Sequence, residues 1–242
     1  MTSNNGTSPM KSLVIIPAYN EETNLPFVLK DLQGFASDIL VVNDGSKDAT
    51  EEVARRSGVA FVSHPFNLGI GGSVQTGLKY ALRNGYDYAI QFDGDGQHRA
   101  DQICKIVSQV ESGQADLVIG TRTLPEGYKC GFSRKIGSLI FCLLIRILTG
   151  KRVADPTAGF RCYGPNAIRL FSIAYPDDYP EVESIITASR NGLTIAEESV
   201  LMRSRQSGHS SINRRKSAYY MLKVTLAMLV DAMRDKIAWR ES

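Results

Sequence analysis

The 242-residue sequence shows no long apolar run, no C-x-x-C cysteine pair and no recognisable signal-peptide pattern. No apolar run reaches the ~20 residues of a membrane-spanning helix, because residues 136–145 stop at Arg146 and residues 218–230 contain Lys223. The four cysteines show no C-x-x-C spacing, and the N-terminus shows no signal-peptide pattern. We therefore expect a cytosolic chain with reduced thiols that does not cross a membrane by itself.

The net charge is small, but the charged residues are unevenly distributed along the chain. The net charge of +3 indicates no general attraction for nucleic acid, so no nucleic-acid partner is expected. Acidic residues are absent from residues 127–154 and 199–230, and each of these segments carries six basic side chains. The contents of 43% hydrophobic and 22% charged residues are those of a globular protein. The two segments are therefore locally cationic parts of a globular chain.

Short β-branched runs alternate with helix-length segments from Ser12 onward. This alternation predicts an α/β fold with a mostly parallel central sheet and helices on both faces. The candidate strands are residues 13–16, 39–42, 59–62, 88–92, 117–119, 159–163 and 193–200. The candidate helices are residues 22–33, 48–57, 72–84, 101–111, 132–149, 181–191 and 214–237. We divide the chain into a disordered N-terminus at 1–11, one α/β domain at 12–213 and a C-terminal amphipathic helix at 214–242.

Ligands of parallel sheets bind beyond the carboxyl ends of the strands, where this sequence carries several polar motifs. Asp93-Gly94-Asp95 follows one strand, and paired carboxylates suit Mg²⁺ or Mn²⁺ bridging a diphosphate, although such triplets also occur on plain turns. An EF-hand is excluded, because the sixth position from Asp93 is His98 and the twelfth is Cys104. The first strand is followed by residues 17–20, PAYN, which contain no glycine, so a NAD fingerprint is absent.

Other residues have both a local and a functional interpretation. Asp44 follows the second strand, where it is placed to accept hydrogen bonds from a nucleobase or ribose, whereas Asp48 is expected to cap a helix. Glycines 69, 71 and 72 precede a helix and would allow the close approach of a ligand. Asp155 by itself is a turn former. His64, His98 and His209 have no metal-site spacing, and only His98 lies next to the paired carboxylates.

Four motifs occur in the order and spacing of family 2 glycosyltransferases of the GT-A fold: VIIPAYNEE at 14–22, VNDGS at 42–46, DGDGQH at 93–98 and GTR at 120–122. The chain most resembles the polyprenyl-phosphate branch, of the dolichyl-phosphate mannosyltransferase and undecaprenyl-phosphate glucosyltransferase type. Further motifs support that branch: Arg134-Lys135 with Ser138, DPTAGFR at 155–161, and Arg205-x-x-Gly208-x-Ser210. The resemblance covers residues 13–213.

The resemblance implies a role for each matching residue. The donor-binding residues would be Pro17, Tyr19, Glu21, Asp44, Asp93 and Arg205. The metal, Mg²⁺ or Mn²⁺, would be held by Asp93, Asp95 and Gln97, and the acceptor phosphate by Arg122, Arg134 and Ser138. Asp155, facing the reacting centre, and Asp95 would be catalytic. The family often has a lysine where this chain has Ser211, which leaves the donor open.

The implied activity is inverting transfer of a hexose from UDP- or GDP-hexose to undecaprenyl or dolichyl phosphate, for cell-surface glycan synthesis. One alternative is the extension of a polysaccharide or lipid-linked glycan, and another is a catalytically silent nucleotide-sugar-binding subunit of a membrane complex. A nucleotidyltransferase would need a glycine-rich basic loop after the first strand, which PAYNEE does not provide.

The last helix carries apolar residues three or four apart, after a basic start at Arg214, Arg215 and Lys216. The stripe consists of Tyr219, Leu222, Leu226, Leu229, Met233 and Ile237. Such a helix either packs on the core, dimerises, or lies in a membrane interface, and residues 136–148 are a second candidate for the same surface. We expect a peripheral location on the inner face of the cytoplasmic membrane. A separate small membrane protein and a homo-oligomer are the further partners considered.

Overall fold

A computed structural model describes residues 10–35, 37–123, 132–203 and 214–239. Its strands are β1 Ser12–Ala18, β2 Asp38–Asn43, β3 Ala60–Ser63, β4 Tyr88–Gln91, β5 Leu117–Thr123, β6 Arg161–Tyr163 and β7 Ile195–Leu201. Its helices are α1 Leu25–Asp31, α2 Thr50–Arg56, α3 Gly69–Arg83, α4 Ile103–Glu111, α5 Phe132–Thr149, α6 Pro165–Ile173, α7 Pro180–Arg190 and α8 Arg214–Met233.

The strands form one sheet in the order β3-β2-β1-β4-β6-β5-β7. The first four strands pair in parallel, as do β5 and β7, whereas β6 runs antiparallel to both β4 and β5. The predicted mostly parallel sheet is therefore confirmed. The order turns back on itself around β1 and β4, so the loops after β1, β2 and β4 meet at one edge, where such sheets bind ligands.

Apolar side chains fill both faces of the sheet, which explains why every residue of β1 is buried. Leu13 and Ile15 belong to one core, which α3 and α5 to α8 complete, and Val14 and Ile16 belong to the other, which α1, α2 and α4 complete. Alternating side chains of a strand point to opposite faces, so one short apolar run supplies both cores. Helices on both faces are thus confirmed.

The structure adds three local features to these predictions. Helix α6 was not predicted, although Gly164 and Pro165 begin it and its apolar residues face the core. Lys11, predicted to be disordered, donates its backbone N–H to Asp87 Oδ2 at 2.6 Å. Gly71 serves packing: a Cβ there would lie 2.4 Å from the Pro176 carbonyl oxygen, so the glycine lets α3 approach the segment after α6.

The C-terminal helix α8 packs on α5 and α7. Its buried side chains include Val224, Met228 and Asp231, whereas Leu226 is 60% and Met233 85% exposed. Leu226, Leu229 and Met233 of the predicted stripe are exposed on the outer face, and other apolar residues fill the inner face. The side chains of Tyr219 and Leu222 lie outside the described residues. The helix also ends at Met233, before Ile237.

Candidate active site

The loops after β1 and β2 are joined by reciprocal hydrogen bonds. Asn20 donates its backbone N–H to Ser46 Oγ at 3.0 Å, and its side-chain oxygen accepts the N–H of Lys47 at 2.9 Å. Glu21 donates its backbone N–H to Thr50 Oγ1 at 2.8 Å. Asn20 has a φ of 56°, a conformation that asparagine tolerates better than most residues. Glu21 is therefore held on a fixed loop, whereas Pro17 lies near the end of β1 and Tyr19 is exposed after it.

Asp44 is enclosed by protein donors. Its Oδ1 accepts the backbone N–H of Leu68 at 2.8 Å and lies 2.9 Å from His64 Nδ1, and its Oδ2 accepts the N–H of Gly69 at 2.9 Å. The residue is only 3% exposed. Asp44 thus anchors the start of α3, which the sequence did not indicate. Its contact with a nucleoside stays a prediction.

The DGDGQH turn is organised by a buried histidine. Asp93 donates its backbone N–H to His98 Nδ1 at 2.9 Å, so the ring proton resides on Nε2, which lies 3.5 Å from Asp93 Oδ2. The ring stacks on Phe160 with centroids 4.7 Å apart. Burial lowers the pKa of His98 to about 4. His98 is therefore neutral near pH 7, and it holds the turn through Nδ1, which accepts the Asp93 N–H.

The acidic turn fits a divalent ion only when the substrate supplies further ligands. Among the residues that the structure describes, no three His, Cys, Asp or Glu side chains cluster into a metal site. Asp95 Oδ1 accepts the backbone N–H of Gln97 at 3.0 Å, which keeps both residues in the same turn as Asp93. Mg²⁺ is commonly bound by one or two carboxylates plus substrate phosphates. The two carboxylates and the Gln97 amide oxygen fit an ion bound in that manner.

Asp155 and Arg122 form a two-pronged ion pair at the end of β5. Arg122 Nε and Nη2 lie 2.6 and 2.8 Å from Asp155 Oδ2 and Oδ1, and Nη2 also donates to Thr157 Oγ1 at 2.6 Å. Burial alone would raise the pKa of Asp155, but the hydrogen bonds and charge of Arg122 outweigh it and lower that pKa. The predicted catalytic carboxylate and the predicted phosphate ligand are thus paired with each other.

Arg161 is a fully buried arginine that fixes the segment between Asp155 and β6. Its guanidinium donates to the Ala158 carbonyl oxygen at 2.8 Å, to Ser184 Oγ at 2.6 Å and to the Glu181 carbonyl oxygen at 2.5 Å. These bonds tie the DPTAGF segment to the first turn of α7. Glu181 is thereby held beside the site, which sequence reasoning missed because the residue lies outside every motif.

A cavity of about 90 Å³ joins these groups. Its walls are formed by Asp93, Gln97, His98, Gly120, Arg122, Thr157, Ala158, Gly159, Phe160, Glu181 and Met202. Burial raises the pKa of Glu181 and the Arg161 charge opposes it, while the charge of Asp93 adds to the rise. Residues of the acidic turn and Arg122 thus line the same cavity.

Helix α5 passes close to this site and carries an exposed apolar face. Cys142 contacts the Ala154 carbonyl oxygen at 3.7 Å, next to Asp155. Leu139, Leu143 and Ile147 follow each other at intervals of four residues and are 67%, 58% and 68% exposed. Ser138 lies half-buried on the same helix. The side chain of Arg134 and the whole of Arg205 lie outside the described residues.

Comparisons with known proteins were consistent with one another. The sequence model described as "Glycosyl transferase family 2" matches residues 13–174. The chain is 34% identical to the UDP-N-acetylglucosamine--dolichyl-phosphate N-acetylglucosaminyltransferase of Methanococcus voltae, over 76% of this chain and 82% of that protein. It is 32% identical to the undecaprenyl-phosphate mannosyltransferase of Micrococcus luteus, over 84% of this chain and 88% of that one.

Among solved structures, the chain is similar to glucosyl-3-phosphoglycerate synthase from Mycobacterium tuberculosis in complex with Mn²⁺, UDP and glucosyl-3-phosphoglycerate. The TM-score is 0.70 at 20% identity, over 92% of this chain and 80% of that one, which shows a shared fold. The predicted GT-A fold is thereby confirmed. Within the part of the chain that the structure describes, no helix is long and apolar enough to span a bilayer.

Proposed function

This chain belongs to glycosyl transferase family 2, and on that basis we propose that it transfers a hexose from a nucleotide-sugar, UDP- or GDP-hexose, to a polyprenyl phosphate with inversion at the anomeric carbon. The observation that carries the proposal is the cavity that Asp93 and Gln97 line together with Arg122. In the proposed complex, the donor diphosphate binds at the acidic turn, the acceptor phosphate binds Arg122, and the hexose passes between them. The named relatives, which act on dolichyl and undecaprenyl phosphates, support this acceptor class.

The metal in this proposal is Mg²⁺ or Mn²⁺, held by Asp93, Asp95 and Gln97 together with the donor diphosphate. Such an ion, when bound, would neutralise charge on the leaving diphosphate. The donor set supports it, because hard carboxylate and amide oxygens suit these ions. His98 stabilises the turn by accepting the Asp93 N–H, and it adds no charge, since its pKa of about 4 leaves it neutral near pH 7.

The Arg122–Asp155 pair favours a phosphate acceptor over a hydroxyl acceptor. A hydroxyl needs a general base, and a carboxylate whose pKa is lowered by an arginine is a weak one. A phosphate monoester has a second pKa of about 6 and is largely ionised near neutral pH without help. Asp155 would then orient Arg122, whose planar guanidinium matches phosphate oxygens. The lowered pKa of Asp155 also disfavours the alternative in which the enzyme extends a polysaccharide through a sugar hydroxyl.

We further propose that the enzyme works as a peripheral protein on the inner face of the cytoplasmic membrane. The exposed face of Leu139, Leu143 and Ile147 lies on the helix that also contacts the Asp155 turn through Cys142. An apolar face beside a phosphate site suits an acceptor whose phosphate is charged and whose tail is a lipid. Leu226 and Met233 on the outer face of α8 are exposed apolar residues as well. The other candidates to cover this apolar face are a second copy of the chain and a small membrane protein.

The deciding experiment is a transfer assay with radiolabelled UDP- and GDP-sugars, Mg²⁺ or Mn²⁺, and polyprenyl phosphate. We expect label from one donor to enter the organic phase only when both metal and lipid phosphate are present. The matching polyprenol without phosphate should accept nothing. Transfer to polyprenol, or to an oligosaccharide but not to polyprenyl phosphate, would reject the acceptor assignment. Donor binding without any transfer would favour the alternative of a silent subunit.

Arg122→Ala provides the matched variant for that assay. We expect the KM for polyprenyl phosphate to rise at least tenfold, because a charge-assisted bond to phosphate contributes about 1.5–3 kcal/mol. Arg55→Ala removes an exposed arginine that pairs with Glu51 on α2, and it should leave transfer unchanged. If both variants behave like wild type, Arg122 does not bind the acceptor.

A further inference from the structure

Glu197 on β7 lies 42 residues from Asp155 in sequence, but its carboxylate holds the turn that carries Asp155. Both carboxylate oxygens lie 2.9 Å from the backbone nitrogen of Ala154, and Oε1 also accepts the Asp155 N–H at 3.2 Å. The same Oε1 accepts the hydroxyl of Thr121 on β5 at 3.1 Å. One side chain therefore receives two backbone donors of the turn and one side-chain donor of the neighbouring strand.

The pleat of β7 explains why Glu197 and not Glu198 reaches this turn. The strand pairs in parallel with β5, with Glu197 opposite Ile119. Successive side chains point to opposite faces. Glu198 therefore faces α4, where it accepts a hydrogen bond from Gln109. Glu197 faces the other side, beneath the residues that precede β6. Two adjacent glutamates thus have different roles for a geometric reason.

Glu197 restrains both members of the Arg122–Asp155 pair. It holds Asp155 through the backbone of the turn, and it holds β5 through Thr121, the residue before Arg122. The Asp155 carboxylate in turn orients the Arg122 guanidinium through two hydrogen bonds. A shift of the Asp155 turn relative to β5 would therefore change the orientation of the Arg122 guanidinium.

We propose that Glu197 is a positioning residue that sets the orientation in which Arg122 receives the acceptor phosphate; this inference rests on the function proposed above. Glu197 acts through Asp155 and Thr121 and touches neither substrate. A carboxylate suits this position because it only accepts hydrogen bonds, and all three of its neighbours are donors. Glutamine would direct its own N–H₂ group toward one of these donors, so at least one bond would be lost and the turn would shift.

The test is a comparison of Glu197→Gln with Glu198→Gln, which makes the same chemical change on the opposite face of β7. For Glu197→Gln we expect kcat/KM for polyprenyl phosphate to fall by about ten- to a hundredfold, since misplacement by ~1 Å can cost about a hundredfold. The KM for the nucleotide-sugar should stay within about twofold, since the donor residues lie on other loops. Glu198→Gln should resemble wild type in both parameters. A general loss of structure would instead impair the kinetic parameters for both substrates.

Crystal structures of wild type and Glu197→Gln provide a second measurement that does not depend on turnover. We expect the Asp155 turn to move and the two-pronged pair with Arg122 to open in the variant. An unmoved pair, or an acceptor KM equal to that of wild type, would overturn the role of Glu197. If wild type itself transfers nothing to polyprenyl phosphate, the proposed function fails, and the crystallographic comparison still decides whether Glu197 positions the pair.

Discussion

The interface between α7 and α8 contains a pair of buried carboxyl groups whose effect on stability can be estimated. Glu183 on α7 and Asp231 on α8 are each 7% exposed. Burial raises the pKa of Glu183 to about 7, with the Asp231 and Asp178 charges adding to the rise and Arg234 opposing it. Glu183 also accepts the Tyr179 backbone N–H at 3.1 Å, a bond that a glutamine carbonyl would keep. The change Glu183→Gln therefore removes a titrating group and retains the hydrogen bond.

The pH dependence of the stability that Glu183 contributes follows from its pKa in the unfolded and folded states. An ordinary glutamate has a pKa of 4.5, below that of Glu183 in the folded chain, so the folded state holds its proton more tightly. The stability from this group is greatest below pH 4.5 and is lost as the pH rises to about 7. The difference corresponds to about 3 kcal/mol. Water near the interface screens part of it, so we expect about 1–2 kcal/mol.

Glu183→Gln should therefore be more stable than wild type by about 1–2 kcal/mol at pH 8, with a Tm higher by about 2–8 °C. Near pH 4.5 the two proteins should differ little. Urea unfolding followed by the fluorescence of Trp239, the single tryptophan and a buried residue that follows α8, measures this difference. Glu52→Gln, an exposed change on α2, is the control and should alter stability by less than about 0.5 kcal/mol. Equal stability of Glu183→Gln and wild type at pH 8 would show that the charged Glu183 carboxylate does not destabilise the folded protein.

Three changes test the candidate active site directly. Asp95→Asn should abolish transfer while leaving urea unfolding unchanged, and near-normal turnover would reject the metal assignment. Gly159→Ala should lower kcat/KM, because its Cβ would lie 2.8 Å from Asp93 Oδ2 and displace that carboxylate; unchanged kinetics would show that the displacement is harmless. Glu181→Ala removes a carboxylate from the cavity wall and should weaken discrimination between donor hexoses, measured as the ratio of kcat/KM for two nucleotide-sugars. An unchanged ratio would place the hexose elsewhere.

Much of the fold was predictable because its signals are local. Alternation of β-branched runs with helix-length segments indicated the parallel sheet, and the motifs at strand ends indicated the edge where the site would form. Strand β6 was predicted, but its antiparallel direction was not, because its partners β4 and β5 are distant in sequence. Helix α6 was not predicted, because it has only nine residues and begins directly after β6, so its apolar periodicity is short.

The sequence predicts the fold class, the acidic turn at Asp93 and the cationic residue Arg122, since each depends on short local patterns. The three-dimensional structure shows that Arg122 is paired with Asp155, that His98 accepts a hydrogen bond from the acidic turn, and that Glu197 holds the Asp155 turn. It also decided which face of α8 is buried, because α8 has apolar residues all round and its neighbours α5 and α7 select among them. Such contacts join residues far apart in the chain, and no local pattern of residue types records them.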